Sequence, residues 1–538
     1  MTENIATLDW TIIFGYLAGL IAFSAWLARR QYSRSDYYVA GRDTGPVPIA
    51  VSILATQCSS NSILGAPAFV AFAAGGGLVW LQYELAVPLA MIAIMVFMIP
   101  LFHRLSLISV YDYLEQRFGL ITRLTLSSLF QFVRAFATAV TVYSIALVVE
   151  LITGLSFFWS VVLLGVVTVI YDVLGGIRAV IYSDVLQMAI LVSVLVALFV
   201  ILVSMAGGFS EMLQAFPDDR RNALDFSSHG LGDGEDFAFW PMLLGGFFLY
   251  VSYYGCDQSQ VQRELCARNQ DESQQALLLN GLFRFPLVML YCLVGVGIGV
   301  YAGSHPGFLQ ALPVSNGEPN YNLAVPLFII NQLPTGIVGL SLVALFAAAM
   351  SSLDSVINSL SATTMEDFVR RFHERSGRHW SDRQELLYSR GLTIGWGIVT
   401  LWLAFHVGDI ASTVLVAINK IGSLINGPVL GVFALGLLTL RANGTGACLG
   451  LLAGFLFNLY CWHYLSDVSW LWWNVFGFVI TFVSGYGISF LQHPRDTRRE
   501  LVWSTALYRS LPFKVNWIPR YLLLAVWAAG LFLVMTLF

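Results

Sequence analysis

The chain has 538 residues, of which 57% are hydrophobic and only 11% are charged, and its net charge is -4. Soluble globular proteins carry about 25% charged residues, so this chain cannot cover its surface for water and must face lipid over much of its length. The six cysteines show no paired spacing, the eight histidines form no ligand motif and no basic tract is present. These features argue against a disulfide framework, a metal centre and a nucleic-acid-binding surface.

Fourteen apolar stretches approach the length of about 20 residues that a transmembrane helix needs. They predict an all-α, polytopic membrane protein. The first stretch is predicted to be a span and not a cleavable signal peptide, because no positive segment precedes it and Arg29 and Arg30 follow it. The predicted spans are residues 9–28, 47–75, 78–102, 124–151, 156–176, 180–206, 237–256, 275–302, 336–364, 391–407, 411–438, 446–465, 469–491 and 519–537.

The positions of the 28 Lys and Arg residues predict the orientation of these spans. Arg29, Arg30, Arg34 and Arg42 follow the first span, and cationic loops stay in the cytoplasm. Alternation then places most of the other cations on the cytoplasmic side and both termini outside. The only N-x-S/T sequon, at Asn443, falls on the cytoplasmic side, which favours a bacterial inner membrane.

Three cations fall within predicted spans, namely Arg134, Arg284 and Lys420. A charge at the centre of a membrane helix costs roughly 2.5–3.5 kcal/mol on insertion scales, so such residues usually face a bundle interior or water. Arg284 could instead snorkel towards the cytoplasmic end of its helix, whereas Arg134 and Lys420 lie deeper and favour a functional role. Glu84 is a carboxylate well inside the third span.

The second span is interrupted by the polar stretch ATQCSSNS, from Ala55 to Ser62. Polar residues in mid-membrane are expensive unless their backbone groups serve a cavity. Discontinuous helices of this kind present carbonyls to a cation and helix N-termini to a solute. The alternative is a face of small residues for helix packing. We expect a solute to meet the side chains of Gln57, Asn61 and Ser62.

The ninth span carries a polar stripe, because Ser351, Asp354, Ser355 and Asn358 recur on one helical face. Hydroxyl and carboxylate oxygens are hard donors that suit a hard cation such as Na⁺. Hydrogen bonding between helices is the alternative, although an intramembrane carboxylate such as Asp354 needs a partner or an ion. Asp184, near the start of the sixth span, could also be a helix cap.

At these residues the chain resembles the sodium:solute symporter family, which includes sodium/glucose, sodium/proline, sodium/iodide and sialic acid carriers. The likeness covers about residues 8–440, with the motifs in order and at the family's spacing. The motifs are DYYVAGRDTGP, SILATQCSSNSILG, YDVLGGIRAVIYSDVLQM, GCDQSQVQR, AAAMSSLDSVINSLSATTMEDF and INGPVLGVFALGLL.

The resemblance implies a leucine-transporter-like fold with two repeats of five helices, and successive units of an odd number of spans have opposite orientations. The repeats are expected at 47–206 and 237–438, joined by an extracellular loop at 207–236. The first helix and its cytoplasmic linker would occupy 1–46, and three further spans would occupy 439–538.

Carried over residue by residue, the family's sodium site would use backbone carbonyls of Ala55, Cys58 and Ala348 with the hydroxyls of Ser351 and Ser352. A second sodium site, present in some members, would involve Asp184, Ser351 and Ser355. Asp354 stands where those members have serine, a departure that could strengthen the second site or turn it towards protons.

The solute residues implied by the resemblance are Glu84, Tyr253, Arg284 and Asn419, at positions like the family's sugar-binding glutamate, gating tyrosine, lysine and glutamine. Ser62 replaces a glutamine of the sugar carriers, and Lys420 replaces an acidic neighbour. The GCDQSQVQR segment is more like the monocarboxylate, vitamin and iodide branch. These departures favour an anionic solute.

The sequence therefore predicts a secondary active transporter and not an enzyme: a Na⁺-coupled symporter of a small polar organic solute, possibly an organic anion of the monocarboxylate or sialic acid type. A Na⁺/sugar or polyol symporter and a proton-coupled carrier of the same fold remain alternatives. The expected partners are the solute, Na⁺ and membrane lipid. We expect no organic cofactor, no nucleic acid and a functional monomer.

Overall fold

The structure is a computed structural model, and it describes residues 5–29, 31–58, 61–315, 317–375, 380–407, 411–492 and 499–538. For residues 411–420 the backbone is described and the side chains are not, and the same holds for Asn61, Ser315, Glu318 and Arg375.

The described residues are almost entirely helical. Through the first predicted repeat the helices are α1 Thr7–Ala28, α2 Arg34–Val39, α3 Pro46–Gln57, α4 Ala66–Phe72, α5 Leu81–Glu84, α6 Ala86–Phe97, α7 Ile99–Arg104, α8 Tyr111–Phe118, α9 Leu120–Thr153 and α10 Phe157–Met205. The connecting segment contains α11 Phe209–Ala215 and α12 Asp218–Arg221.

The second half continues with α13 Gly246–Cys256, α14 Gln258–Glu264, α15 Gln270–Ser304, α16 Pro306–Gln310, α17 Ala324–Gln332, α18 Ile337–Thr363, α19 Arg370–Arg375, α20 Asp382–His406, α21 Ala411–Leu438, α22 Gly444–Tyr464, α23 Trp472–Ser489, α24 Thr505–Ser510 and α25 Ile518–Met535. A hairpin pairs β1 Val314–Ser315 with β2 Glu318–Pro319. Short 3₁₀ and π-helical turns lie at Ala40–Arg42, Asn61–Gly65, Leu78–Trp80, Pro241–Gly245, Tyr321–Leu323, Thr364–Val369 and Arg499–Leu501.

Each predicted span coincides with one or more of these helices. Nine of the described helices, or ten if a bent pair counts as one span, are long and apolar enough to cross a membrane. The fifth and sixth predicted spans form the single element α10, whose two halves diverge at Gly176 (φ 54°, ψ −161°). A Cβ at Gly176 would lie 2.7 Å from the backbone oxygen of Tyr37, so glycine is required there for both space and backbone conformation.

The first helix of each predicted repeat is broken. The segments Pro46–Gln57 and Ser62–Phe72 are bent by 62° relative to one another. In the second repeat, α13 ends at Cys256 and Asp257 has extended backbone (φ −90°, ψ 123°) before α14 begins. The first break was predicted from the polar stretch, and the second was not.

Burial separates central from peripheral helices. In the most apolar stretch of the segment that begins with α18, 83% of the residues are buried, against 28% for α1 and 17% for α25. The α18 stripe therefore lies in the middle of the bundle, and the outer helices present apolar side chains to lipid. We call the end of the bundle that carries Arg34, Arg104, Arg117, Arg123 and Arg370 the arginine-rich face.

Candidate functional site

A cavity of about 1060 Å³ lies beside the broken second span. Its lining includes Gln57, Ser62, Glu84, Tyr253 and Arg284, so five of the predicted solute residues share one space. Three further predictions, the side chains of Asn61, Asn419 and Lys420, lie outside the described residues. The remaining polar lining includes Arg134, Asp236, Asp257, Asn320, Asn322 and Asn426.

Arg284 is paired within the protein. Its Nε donates to Glu84 Oε2 at 3.1 Å, and the two side chains are only 6% and 1% exposed. Tyr250 Oη donates to Glu84 Oε1 at 3.1 Å, and Arg284 Nη1 lies 3.4 Å from Cys58 Sγ at the helix break. The charge of Arg284 is therefore balanced by Glu84 within the protein and does not snorkel to the membrane surface, and the pair lies against Cys58 at the helix break.

Arg134 is the more accessible arginine of the cavity. Its guanidinium lies 2.5 Å from Asp257 Oδ2, with the side chains 22% and 13% exposed, and 4.8 Å from the centre of the Tyr253 ring. Gln260 Nε2 donates to Tyr253 Oη at 2.8 Å. An arginine stacked on an aromatic ring and open to a cavity presents its fork of donors in a fixed orientation, as carboxylate recognition requires.

The predicted first sodium site forms where α18 meets the end of α3. Ser352 Oγ lies 3.3 Å from the carbonyl oxygen of Ala348 and 3.5 Å from that of Thr56. The last carbonyls of a helix have no partner within it, and α3 ends at Gln57, just beyond Ala55. Ser351 Oγ is buried with no hydrogen-bond partner among the described residues. The Ser352 hydroxyl of α18 and a carbonyl near the end of α3 are therefore neighbours, as the predicted site requires.

The residues predicted for the second sodium site surround a buried guanidinium. Arg263 Nη2 lies 3.5 Å from Asp184 Oδ2, and both side chains are fully buried. Arg263 also donates to Ser355 Oγ and, through Nε, to Ser52 Oγ at 2.7 Å. Asp184 Oδ1 has no hydrogen-bond partner among the described residues. It remains available to a cation near Ser351, which faces this carboxylate.

The rest of the α18 stripe hydrogen-bonds between helices. Asp354 accepts a hydrogen bond from Tyr171 Oη and, at 3.1 Å, from Ser355 Oγ. Asn358 Nδ2 donates to Asp172 at 2.9 Å. Asn358 therefore fits the packing alternative, and Asp354 has neutral partners and no arginine in direct contact among the described residues. Asp184 acts as no helix cap, because it lies inside α10.

Sequence reasoning missed Arg263 and Asp257. Arg263 was counted among the cytoplasmic cations of the topology, yet it is among the largest fully buried side chains. Asp257 received no role. The available signal was the change from the apolar run ending in Gly255 to the polar run DQSQVQRE, which marks a helix boundary just as ATQCSSNS does.

Comparison with known sequences gives three matches to one kind of protein. A profile described as "SSF: Sodium:solute symporter family" matches residues 37–454. The sodium/sialic acid symporter NanT of Aliivibrio fischeri is 30% identical, over 90% of this chain and 93% of that protein. Human sodium-coupled monocarboxylate transporter 1 is also 30% identical, over 84% of this chain and 72% of that protein.

Solved structures support the fold. A substrate-bound, outward-open state of a Na⁺-coupled sialic acid symporter has a TM-score of 0.81 and 26% identity, covering 91% of this chain and 99% of that chain. Mhp1, a nucleobase-cation-symport-1 family transporter, has a TM-score of 0.53 at 14% identity, covering 90% and 97%, and shows the fold alone. The prediction of a polytopic, leucine-transporter-like architecture is confirmed.

Proposed function

We propose that this chain, which belongs to the sodium:solute symporter family, transports a small polar organic acid through the cavity beside the broken second span. The chain is a secondary active transporter and not an enzyme. It moves a small solute together with Na⁺ by alternating access, and sodium is its coupling ion. The proposal concerns the solute, the residues that bind it and the sodium ligands.

The observation that supports an acidic solute is the contrast between the two arginines of the cavity. The guanidinium of Arg284 is held by Glu84 and almost completely buried, whereas Arg134 is about one-fifth exposed. A guanidinium binds a carboxylate through two parallel hydrogen bonds of about 2.7–2.9 Å. We assign the solute's carboxylate to Arg134, and the polar remainder of the solute to Gln57, Ser62, Tyr253 and Asn426.

The names of the relatives are consistent with this class. They describe carriers of sialic acid, of monocarboxylates and, in Drosophila melanogaster, a putative sodium-dependent multivitamin transporter that is 28% identical over 90% of this chain and 86% of that protein. The cavity volume of about 1060 Å³ lies at the upper end of the usual range for small-molecule sites, so a sugar acid fits as well as a short monocarboxylate.

For sodium we propose the set Ala55, Cys58, Ala348, Ser351 and Ser352. The hydroxyl of Ser352, 3.5 Å from the carbonyl oxygen of Thr56 near the end of α3, supports it, because the last carbonyls of a helix have no partner within the helix and can bind a cation. We propose a second sodium ion at Asp184 Oδ1, next to Ser355 and Asp354. The buried carboxylates there outnumber Arg263, the one cation of the cluster among the described residues, and an added cation would reduce that imbalance.

A Na⁺-coupled sugar or polyol carrier is the second candidate, and the Arg284–Glu84 pair favours it. Both arginines of the cavity already have a carboxylate partner, so a neutral solute would leave no cation unpaired. For the oligomeric state, the membrane and the topology, we propose a functional monomer in a bacterial inner membrane with both termini outside. The concentration of arginines on one face of the bundle supports that orientation.

A ligand screen tests the proposal. Purified protein is heated with pyruvate, N-acetylneuraminate, glucose or sorbitol, in Na⁺ and in choline, and the melting temperature is recorded. We expect the acids to stabilise the protein only in Na⁺, and Arg134→Gln to lose that response. Arg268→Gln, which alters an exposed cation (54% exposed), is the matched control. Stabilisation by glucose or sorbitol alone, retained in Arg134→Gln, would establish the second candidate instead.

A further inference from the structure

Asp257 connects α13 to α14. Its Oδ1 accepts hydrogen bonds from the backbone nitrogen of Ser259 at 2.8 Å and from Ser259 Oγ at 2.5 Å. Its Oδ2 accepts a hydrogen bond from Arg134 Nε at 2.5 Å. One carboxylate therefore caps α14 and also ties that helix to α9.

The helix α14 begins at the wall of the cavity. Asp257 lines the cavity, and the next residue, Gln258, accepts a hydrogen bond from Val110 N at 2.8 Å and donates to Ile108 O at 2.7 Å. At the far end of α14, Arg263 is tied to Asp184. We therefore infer that α14 is the element which a solute leaving towards the arginine-rich face would displace.

The Arg134–Asp257 pair differs from the Arg263–Asp184 pair in its access to the cavity. Removing one partner of a buried ion pair has an energetic cost, because the other charge remains uncompensated. Exchange of one carboxylate for another avoids that cost for Arg134, since the guanidinium keeps an anionic partner. The released Asp257 retains its hydrogen bonds to Ser259 and gains water as α14 moves.

We propose that Asp257 occupies the place of the solute's carboxylate on Arg134, so that a carboxylate solute displaces it and releases α14. This inference rests on the proposed function, in which an organic acid binds Arg134. Asp257 is a positioning residue here: it acts through Arg134 and α14 and need not contact the solute. Tyr253, stacked on Arg134, moves with α13 when the pair separates.

The exchange explains why sodium would not pass alone. A ligand shifts a conformational equilibrium only by its difference in affinity for the two states. The solute binds Arg134 better when Asp257 has moved away, so it favours the state open to the arginine-rich face. Without a solute, the pair holds α14 closed, and sodium bound beside α3 and α18 has no exit on that side.

The test is solute-free entry of ²²Na⁺ into proteoliposomes. Asp257→Asn removes the charge while keeping the cap, because Asn and Asp are equally good N-caps. We expect Asp257→Asn to raise solute-free ²²Na⁺ entry at least about fivefold, the low end of typical coupling between sites. Asp257→Glu should restore tight coupling. Asp43→Asn, which breaks the exposed Arg268–Asp43 pair, should leave the entry rate unchanged.

The same variants separate this inference from the proposed function. Without its competitor, Arg134 in Asp257→Asn should bind pyruvate or N-acetylneuraminate at a lower half-saturating concentration than in the wild type. Wild-type sodium entry and wild-type half-saturation in Asp257→Asn would overturn the inference, even if Arg134→Gln lost its response to acids and so upheld the proposed function. Retained response to acids in Arg134→Gln would overturn the proposed function and, with it, the exchange.

A second measurement covers the case in which Asp257→Asn does not fold. Amide hydrogen exchange of the wild-type protein is followed over residues 257–264, in Na⁺ with and without pyruvate or N-acetylneuraminate. The inference requires faster exchange in α14 when Na⁺ and the stabilising acid are both present. Unchanged or slower exchange in α14 under those conditions would contradict it.

Discussion

The Arg263 guanidinium lies 3.5 Å from the Asp184 carboxylate, with both side chains completely buried. This pair joins α14 to α10, and it lies directly beside the hydroxyls proposed to bind sodium. A fixed positive charge so close to a cation site would repel sodium unless carboxylates outnumbered it. Asp184 and the neighbouring Asp354 provide that excess, which ties the stability of the bundle to its ability to bind sodium.

Neutralising one member of the pair should therefore lower the stability of the folded protein more than neutralising both. Asp184→Asn leaves a buried guanidinium without its counter-charge, at an expected cost of about 3–5 kcal/mol. The double variant Asp184→Asn/Arg263→Gln should regain much of that stability while still binding sodium weakly. Thermal unfolding in detergent measures the first effect and the sodium dependence of the melting temperature measures the second. Destabilisation of the double variant equal to the sum of the effects of Asp184→Asn and Arg263→Gln would mean that the pair is not coupled.

The hydroxyls of Ser351 and Ser352 on α18 lead to a separate prediction. Ser351→Ala and Ser352→Ala each remove one proposed sodium ligand, and a hydrogen-bond-like contact to a charge is worth about 1.5–3 kcal/mol. The half-saturating Na⁺ concentration should rise about tenfold or more in each. Ser359→Ala is the matched control on the same helix, because Ser359 Oγ donates only to the carbonyl of Ser355 among the described residues. A similar rise in the control would show a loss of packing and not of a ligand.

We expect the Arg284–Glu84 pair to determine the shape of the binding site and not to determine which solute charge the site selects. Arg284→Gln leaves Glu84 buried beside the break, so it should weaken sodium and solute binding together. Glu84→Gln added to Arg284→Gln should restore part of both affinities. Competition among pyruvate, glucose and sorbitol measures selectivity in each variant. If Arg284→Gln turned the preference from acids to neutral solutes, Arg284 itself would select solute charge.

The buried carboxyl of Glu264 leads us to expect that the stability of the folded protein depends on pH. It ends α14 on the arginine-rich face, and its two carboxylate oxygens are buried without hydrogen-bond partners among the described residues. Burial raises the pKa of the Glu264 carboxyl well above its usual range. The folded state thus favours the protonated form, whose stabilising effect is complete below the unfolded pKa of about 4.3. It is lost as the pH rises through the folded pKa.

Glu264→Gln keeps a neutral side chain at every pH. The melting temperature of this variant should exceed that of the wild type by an amount that grows from pH 5 to pH 8, on the order of the few degrees that about 1 kcal/mol produces. Glu235→Gln, which changes an exposed loop carboxylate, should show no such trend. A difference in melting temperature that stayed constant across the pH range would mean that the Glu264 carboxylate is solvated in the folded protein.

The sequence predicted the helices well because a bilayer imposes a length and an apolar composition on every span. It also predicted the first break and the α18 stripe, since polar residues in mid-membrane have few explanations. It left open which carboxylate pairs with which cation, with Glu84 and Asp354 both possible partners of Arg284. Arg284 and Glu84 are 200 residues apart, and only the folded bundle shows that each satisfies the other.

The same limit explains Arg263 and Asp257. Both lie in a polar run beyond the end of a predicted span, where loop residues are normally solvated. The structure folds that run back against α3, α10 and α18, so a cation counted as cytoplasmic becomes a buried partner of Asp184. The inverted-repeat boundaries at 47–206 and 237–438 remain predictions, and the paired breaks in α3–α4 and α13–α14 agree with them.

Uptake driven by a sodium gradient tests the central claim most directly. Proteoliposomes with the purified protein are given radiolabelled pyruvate or N-acetylneuraminate with an inward Na⁺ gradient, and the wild type is compared with Arg134→Gln and with choline in place of Na⁺. The account predicts accumulation of the acid above its external concentration in the wild type with Na⁺, and none in the other two conditions. Equal accumulation in choline, or in Arg134→Gln, would contradict it.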